Sequence, residues 1–115
     1  MEKIFTYGTL QDAEVQQRII GRNLDIGMPD TLRGYKIAIL KGIHESYNII
    51  QPQPGVSVEG VVYEVTAEEL ARIDDYEGDA YMRVSATSAN NNRVWVYRDN
   101  PNSSHQHQIV AKDEP

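Results

Sequence analysis

VSVEGVVYEVTAEELARIDDYEG, residues 56–78, changes its period halfway along. From Val56 to Val65 apolar and polar residues alternate well enough for a long strand, and Gly60 within it marks a kink or bulge where a curved sheet closes. At Thr66 the pattern switches. Thr66 and Glu69 have the S/T-x-x-E spacing of a capping box, in which each side chain satisfies the other's exposed backbone N–H. A helix from Ala67 to about Glu77 follows, and Gly78 ends it.

Upstream, KIFTY at residues 3–7 is short, β-branched and aromatic, so it suits a strand that breaks at Tyr7-Gly8-Thr9-Leu10. Asp12 then caps a helix reaching Arg18 to Ile20, with Val15, Ile19 and Ile20 as its apolar side and Gly21 as its stop. Two turn signals, MPD and RGY, punctuate residues 24–40 around strands in NLDIG and YKIAIL. A return through SYNIIQ precedes a further turn at PQPG. Downstream, YMRVSATS and RVWVYRD form two strands joined at Asn90, Asn91 and Asn92. Six or seven strands with two short helices favour a twisted or closed small sheet over a βαβ array.

The chain has 115 residues, the size of one domain with a single core. Residues 1–99 are expected to form that domain. Residues 100–115, NPNSSHQHQIVAKDEP, are polar and breaker-rich and are expected to be a mobile tail with at most a short pairing at Ile109 and Val110. A formal charge of −6 would repel phosphate backbones, so nucleic acid is not an expected partner. There is no cysteine, which removes disulfides and thiolate chemistry. MEKIFTYGTL reads as neither signal peptide nor membrane span, and the expectation is a cytoplasmic protein without a membrane partner.

In the second helix, at 100° per residue and with Leu70 as zero, Ile73 lies at about −60°, Glu77 at about −20° and Asp74 at about +40°, while Asp75 points away near +140°. Glu77 thus falls on the face that Leu70 and Ile73 must bury, in the last turn, where the helix dipole disfavours negative charge. Both effects raise a carboxylate's pKa, which suits a general acid/base. If the helix instead frays before Gly78, Glu77 simply reaches water. The YGTL break has two readings as well: a bulge that turns the chain, or a loop whose backbone N–H groups converge on an anion.

Taken together, Tyr7-Gly8-Thr9-Leu10 after the first strand, Gly60-Val61-Val62-Tyr63 before a capped helix, Ile73-Asp74-Asp75-Tyr76-Glu77-Gly78 and Tyr81-Met82-Arg83 resemble the gamma-glutamylcyclotransferase-like family. The likeness is greatest to its small members acting on gamma-glutamylamines and runs in order over about residues 4–98. It implies an α+β fold: a small, mostly closed mixed β-barrel with two short helices packed outside and a cavity at its mouth. It implies that Tyr7, Gly8, Thr9 and Leu10 bind the glutamyl end and that Glu77 is the catalytic acid/base. The implied reaction closes 5-oxoproline from a gamma-glutamyl compound and releases the attached amine, with no cofactor and no metal.

Tyr81 and Arg83 share a face if their stretch is a strand, so both are candidate substrate-binding residues; Arg83 could equally pair with Asp74 or Glu77. Ser46, Tyr47 and Asn48 depart from the family's usual pattern in the second hairpin, which bears on the leaving-group pocket. His105 and His107 lie in the polar tail and read as solvated, and Trp95 and Tyr97 as core or cavity wall. The alternative from another class is a catalytically silent barrel that binds a small anionic metabolite or a protein partner.

Overall fold

A computed structural model describes residues 1–24 and 26–112. Asp25, within the NLDIG stretch, and residues 113–115 of the polar tail lie outside the described residues. In chain order the elements are β1 (Glu2–Thr6), a 3-10 turn (Thr9–Gln11), α1 (Ala13–Ile20), β2 (Met28–Lys41), β3 (Ser46–Val65), α2 (Ala67–Glu77), β4 (Tyr81–Thr87), β5 (Arg93–Asp99), a second 3-10 turn (Gln106–Gln108) and β6 (Ile109–Ala111).

The strands form one mixed sheet in the order β4-β5-β1-β3-β2-β6. Among the described residues only β1 and β5 run parallel, meeting at Ile4 and Trp95; the other pairings are antiparallel. The sheet is a curled half-barrel, which corrects the expectation of a mostly closed one. Its edges, β4 and β6, do not pair with each other among the described residues. The physical reason lies at the edge: β6 has three residues and covers only Ala38–Leu40 of β2, leaving too short a ladder to reach round.

Side chains and loops bridge the gap instead. Asp30 of β2 accepts from Ser88 Oγ at 2.6 Å, from Asn92 Nδ2 at 3.0 Å and from the Asn90 N–H at 3.1 Å, pinning the β4–β5 turn to the far strand. The Ala89 N–H also donates to the Thr31 carbonyl at 2.8 Å. At the other end the Tyr81 hydroxyl donates to the Asn48 carbonyl at 2.9 Å.

The turns expected at MPD, RGY and PQPG are not breaks; these residues belong to β2 and β3. The pair runs as one long ribbon, and the turn chemistry appears as a register shift. Arg33 faces Ser57 while Tyr35 faces Pro52, so residues 53–56 bulge outward opposite Gly34. Gly34 takes φ +86°, which a glycine adopts without a Cβ penalty. Within NLDIG, residues 23, 24, 26 and 27 are not strand. Gly60, expected to mark a kink, is required by close approach: a Cβ there would lie 2.3 Å from the Thr6 carbonyl oxygen and 2.5 Å from Phe5 Cζ.

Both helices form as their local chemistry dictates. Asp12 caps α1 by accepting from the Glu14 N–H, and Gly21 ends it in the left-handed conformation. Thr66 and Glu69 make both hydrogen bonds of the capping box. Arg22, just past α1, reaches Glu69 through Nε at 2.7 Å and Nη2 at 3.0 Å, tying the two helices together. Beneath them Ile4, Leu10, Ile20, Val65, Leu70, Ile73 and Tyr97 form one buried cluster. A second, around Phe5, Leu32, Ile50 and Val96, fills the curl of the sheet.

The polar segment after Asp99 lies against the sheet. Asn100 donates from its N–H to the Ala80 carbonyl and from Nδ2 to the Asp79 carbonyl, each at 3.0 Å. Gln106 Nε2 donates to buried Asp99 at 3.1 Å, and β6 pairs with β2. His105 lies 3.8 Å from Asp79 through Nε2. Among the described residues no helix is long and apolar enough to cross a membrane.

Candidate active site

β1 ends at Thr6, and its carbonyl accepts from Gln11 Nε2 at 3.0 Å. The chain leaves the strand through Tyr7 and Gly8 and enters a single 3-10 turn. The first hydrogen bond of that turn is donated by the Gln11 N–H to the Gly8 carbonyl. The N–H groups of Thr9 and Leu10 therefore precede any bond the turn can make for them. Leu10 is buried in the helix-side core, which anchors the turn.

Opposite this loop, α2 delivers Glu77. The capping box and Arg22 hold its start, Leu70 and Ile73 bury its middle, and Glu77 is its final residue, one turn beyond Ile73. The position on the apolar stripe is the one helix periodicity assigns, and the helix does not fray before Gly78: the Gly78 N–H still donates to the Asp74 carbonyl at 3.3 Å.

Between loop and helix lies a cavity of about 290 Å³. Tyr7, Gly8, Thr9, Leu10, Tyr81 and Glu77 all line it, so the structure brings six of the seven expected site residues to one place. Tyr47 and Asn48 from the start of β3, with Leu40 and Ala80, shape another part of its wall. Asn48 Nδ2 lies 3.5 Å from the Tyr7 carbonyl.

Arg83, the seventh, does not line the cavity. Its Nε sits 2.9 Å from Asp74 Oδ1, and its guanidinium lies over the Trp95 ring, 4.4 Å from the centroid. It makes the ion pair that sequence reading held open beside a substrate role. Cation–π contact further fixes that orientation.

Glu77 is half-buried, and dehydration by its surroundings raises its pKa to about 7. Among the described residues no cation lines the cavity to oppose this. Three lining phenols, Tyr7, Tyr81 and Tyr97, are pushed upward, first by burial; the negative charge of Glu77 adds to each. All three therefore stay protonated at physiological pH, and Glu77 is the group whose charge changes near neutrality.

Tyr97 and Tyr76 also face this space. Sequence reading placed Tyr97 only as core or cavity wall and gave Tyr76 no role. The alternation Val94, Val96 against Trp95, Tyr97 in β5 is legible, but which face meets the cavity depends on how the sheet curls.

Residues 4–114 match the family described as Gamma-glutamyl cyclotransferase, AIG2-like. AIG2-like protein A of Arabidopsis thaliana is 35% identical over 86 residues, covering 74% of this chain and 50% of the relative, so the match spans about half of that relative's length. A solution structure of another Arabidopsis thaliana protein superposes with a TM-score of 0.77 at 27% identity, over 97% of this chain and 76% of that one. The crystal structure of an AIG2-like protein from Mus musculus has the same fold, with a TM-score of 0.70 at 18% identity, over all of this chain and 88% of that one. The chain belongs to the gamma-glutamyl cyclotransferase, AIG2-like family.

Proposed function

We propose that the protein is a cyclotransferase acting on a gamma-glutamyl compound, with Glu77 as general acid/base and the loop at residues 7–10 as the seat of the glutamyl moiety. The observation that carries this reading is a dehydrated carboxylate, with a pKa of about 7, sharing one cavity with a backbone turn whose leading N–H groups are not used by the turn itself. Family membership supports it.

In this reading the Glu77 carboxylate takes a proton from the substrate's α-ammonium. The freed amine attacks its own γ-carbonyl carbon, forming the ring C–N bond and placing negative charge on the carbonyl oxygen. Backbone N–H groups of Thr9 and Leu10 hold the α-carboxylate or that developing oxyanion. The bond to the attached amine then breaks, leaving 5-oxoproline. Two protons lost by the attacking nitrogen end on the leaving amine, and Glu77 carries them across. Attacking and attacked groups share one molecule, so the cavity mainly holds the substrate in its ring-closing shape and keeps water out.

The test is release of 5-oxoproline from a panel of gamma-glutamyl compounds, wild type beside Glu77→Gln. Turnover of at least one compound, reduced by about 100-fold or more in the variant, supports the reading. If nothing turns over while a small anion still binds at residues 7–10, the chain is a binding module on the same fold.

A further inference from the structure

We propose that Asp74 is a positioning residue: by accepting the phenolic proton of Tyr97 it keeps that hydroxyl from donating to Glu77 across the cavity. The inference rests on the acid/base reading of Glu77, and adds a residue that neither lines the cavity nor meets the substrate.

Asp74 stands one helical turn before Glu77, and its Oδ1 accepts from the Tyr97 hydroxyl at 2.6 Å. A phenol that gives its only proton to one acceptor has only lone pairs to offer elsewhere. The same holds for two more phenols of the cavity, Tyr7 and Tyr81. Tyr7 donates to the Tyr97 carbonyl at 2.6 Å, Tyr81 donates to the Asn48 carbonyl at 2.9 Å, and the Tyr76 hydroxyl is shared with Thr9 Oγ1 at 3.2 Å.

The titratable groups that share the cavity with Glu77 are Tyr7 from the first loop, Tyr47 from β3, Tyr81 from β4, Tyr97 from β5 and Tyr76 from its own helix, with Asp74 one turn before it outside the lining. Arg83 stands behind Asp74, and Asp99 acts on Tyr7. The protons of Tyr7, Tyr81 and Tyr97 are thus committed to other acceptors, and none of these three phenols donates to Glu77. A carboxylate that accepted even one phenol would ionise more readily and become a weaker base. Tyr7 and Tyr81 are held by backbone carbonyls, which no substitution removes. Asp74 holds Tyr97 by a side chain. Arg83, 2.9 Å from the same Oδ1, helps keep that carboxylate turned toward Tyr97.

The test reads Glu77 directly, by 13C NMR titration of its side-chain carboxyl in the unliganded protein, and needs no turnover. Wild type should titrate near pH 7. In Asp74→Ala the freed phenol should turn to Glu77 and lower its midpoint by about one pH unit. Asp74→Asn, which keeps an acceptor oxygen, should titrate as wild type, and Asp74→Ala with Tyr97→Phe should return to the wild-type midpoint.

An unmoved midpoint in Asp74→Ala overturns the proposal. So does a shift in Asp74→Asn as large as in Asp74→Ala, which would assign the effect to charge, or a double variant that keeps the shift. Tyr97→Phe alone, a nearly isosteric change, serves if Asp74→Ala does not fold: the proposal requires an unchanged Glu77 midpoint, and a rise would mean Tyr97 donates to Glu77 in the wild type. Absence of 5-oxoproline release with the expected titrations would instead count against the catalytic reading alone.

Discussion

Glu77 is a carboxylate that folding makes harder to ionise. Its value of about 7 lies above the 4.5 of an unperturbed glutamate, so the folded chain binds the proton more tightly than the unfolded one. Its contribution to stability is therefore greatest below pH 4.5, falls as pH rises to about 7, and stays low above that. Glu77→Gln removes this loss. Urea unfolding of the two proteins should give curves that separate between pH 4.5 and 7, the variant being more stable by roughly 3 kcal/mol at pH 8. A variant less stable than wild type at pH 8 would contradict the assigned dehydration.

In the proposed reaction the same side chain would set the pH dependence of turnover. A base must be ionised to accept the first proton, so kcat/KM should rise with pH through about 7 and level off above it. With substrate bound, the neighbouring α-ammonium favours the carboxylate, and the limb in kcat should lie at lower pH. Steady-state rates between pH 5 and 9 separate the two limbs; an acidic limb near pH 4.5 in kcat/KM would mean that Glu77 is hydrated in the free enzyme.

At the scale of elements, the helices were legible because their signals are local. Thr66, Glu69 and Gly78 bracket α2, and 100° steps from Leu70 place Glu77 on the buried side before any fold is known. The strands were less legible. Pro29, Gly34, Pro52 and Gly55 are turn residues by type, yet the long β2–β3 ribbon absorbs them in edges and one bulge. The grip of Arg22 on Glu69 spans 47 positions and has no local signal. Those hydrogen bonds, offset in part by burial, hold the Glu69 carboxyl at about 2, so its stabilisation is present above pH 4.5 and is lost as pH falls through about 2. Arg22→Ala leaves a mostly buried carboxylate with only its cap. It should cost about 2 kcal/mol at pH 7 in urea unfolding, and much less at pH 2.

For the whole molecule, the open sheet matters because its strands β1 to β5 all contribute residues to the cavity wall. Closure through a continuous ladder was the expectation, and a sequence gives no measure of how far a six-stranded sheet bends. What replaces the ladder is a handful of polar ties, of which Asp30 is the most connected, itself only 5% exposed. Asp30→Ala strands Ser88, Asn90 and Asn92 together and should cost about 3 kcal/mol of stability, read as a lower denaturation midpoint with the β4–β5 turn losing hydrogen-exchange protection first. Equal loss of protection across the sheet would show that the tie is not local to that turn.

The cavity itself gathers the loop, the helix and residues of β1 to β5, and a complex with 5-oxoproline examines all of them together. The ring is expected between Glu77 and residues 7–10, with its nitrogen toward the Glu77 carboxyl and its carboxylate or lactam oxygen on the N–H groups of Thr9 and Leu10. A product ring seated elsewhere, or one that leaves Glu77 facing only water, would contradict the shared-cavity account.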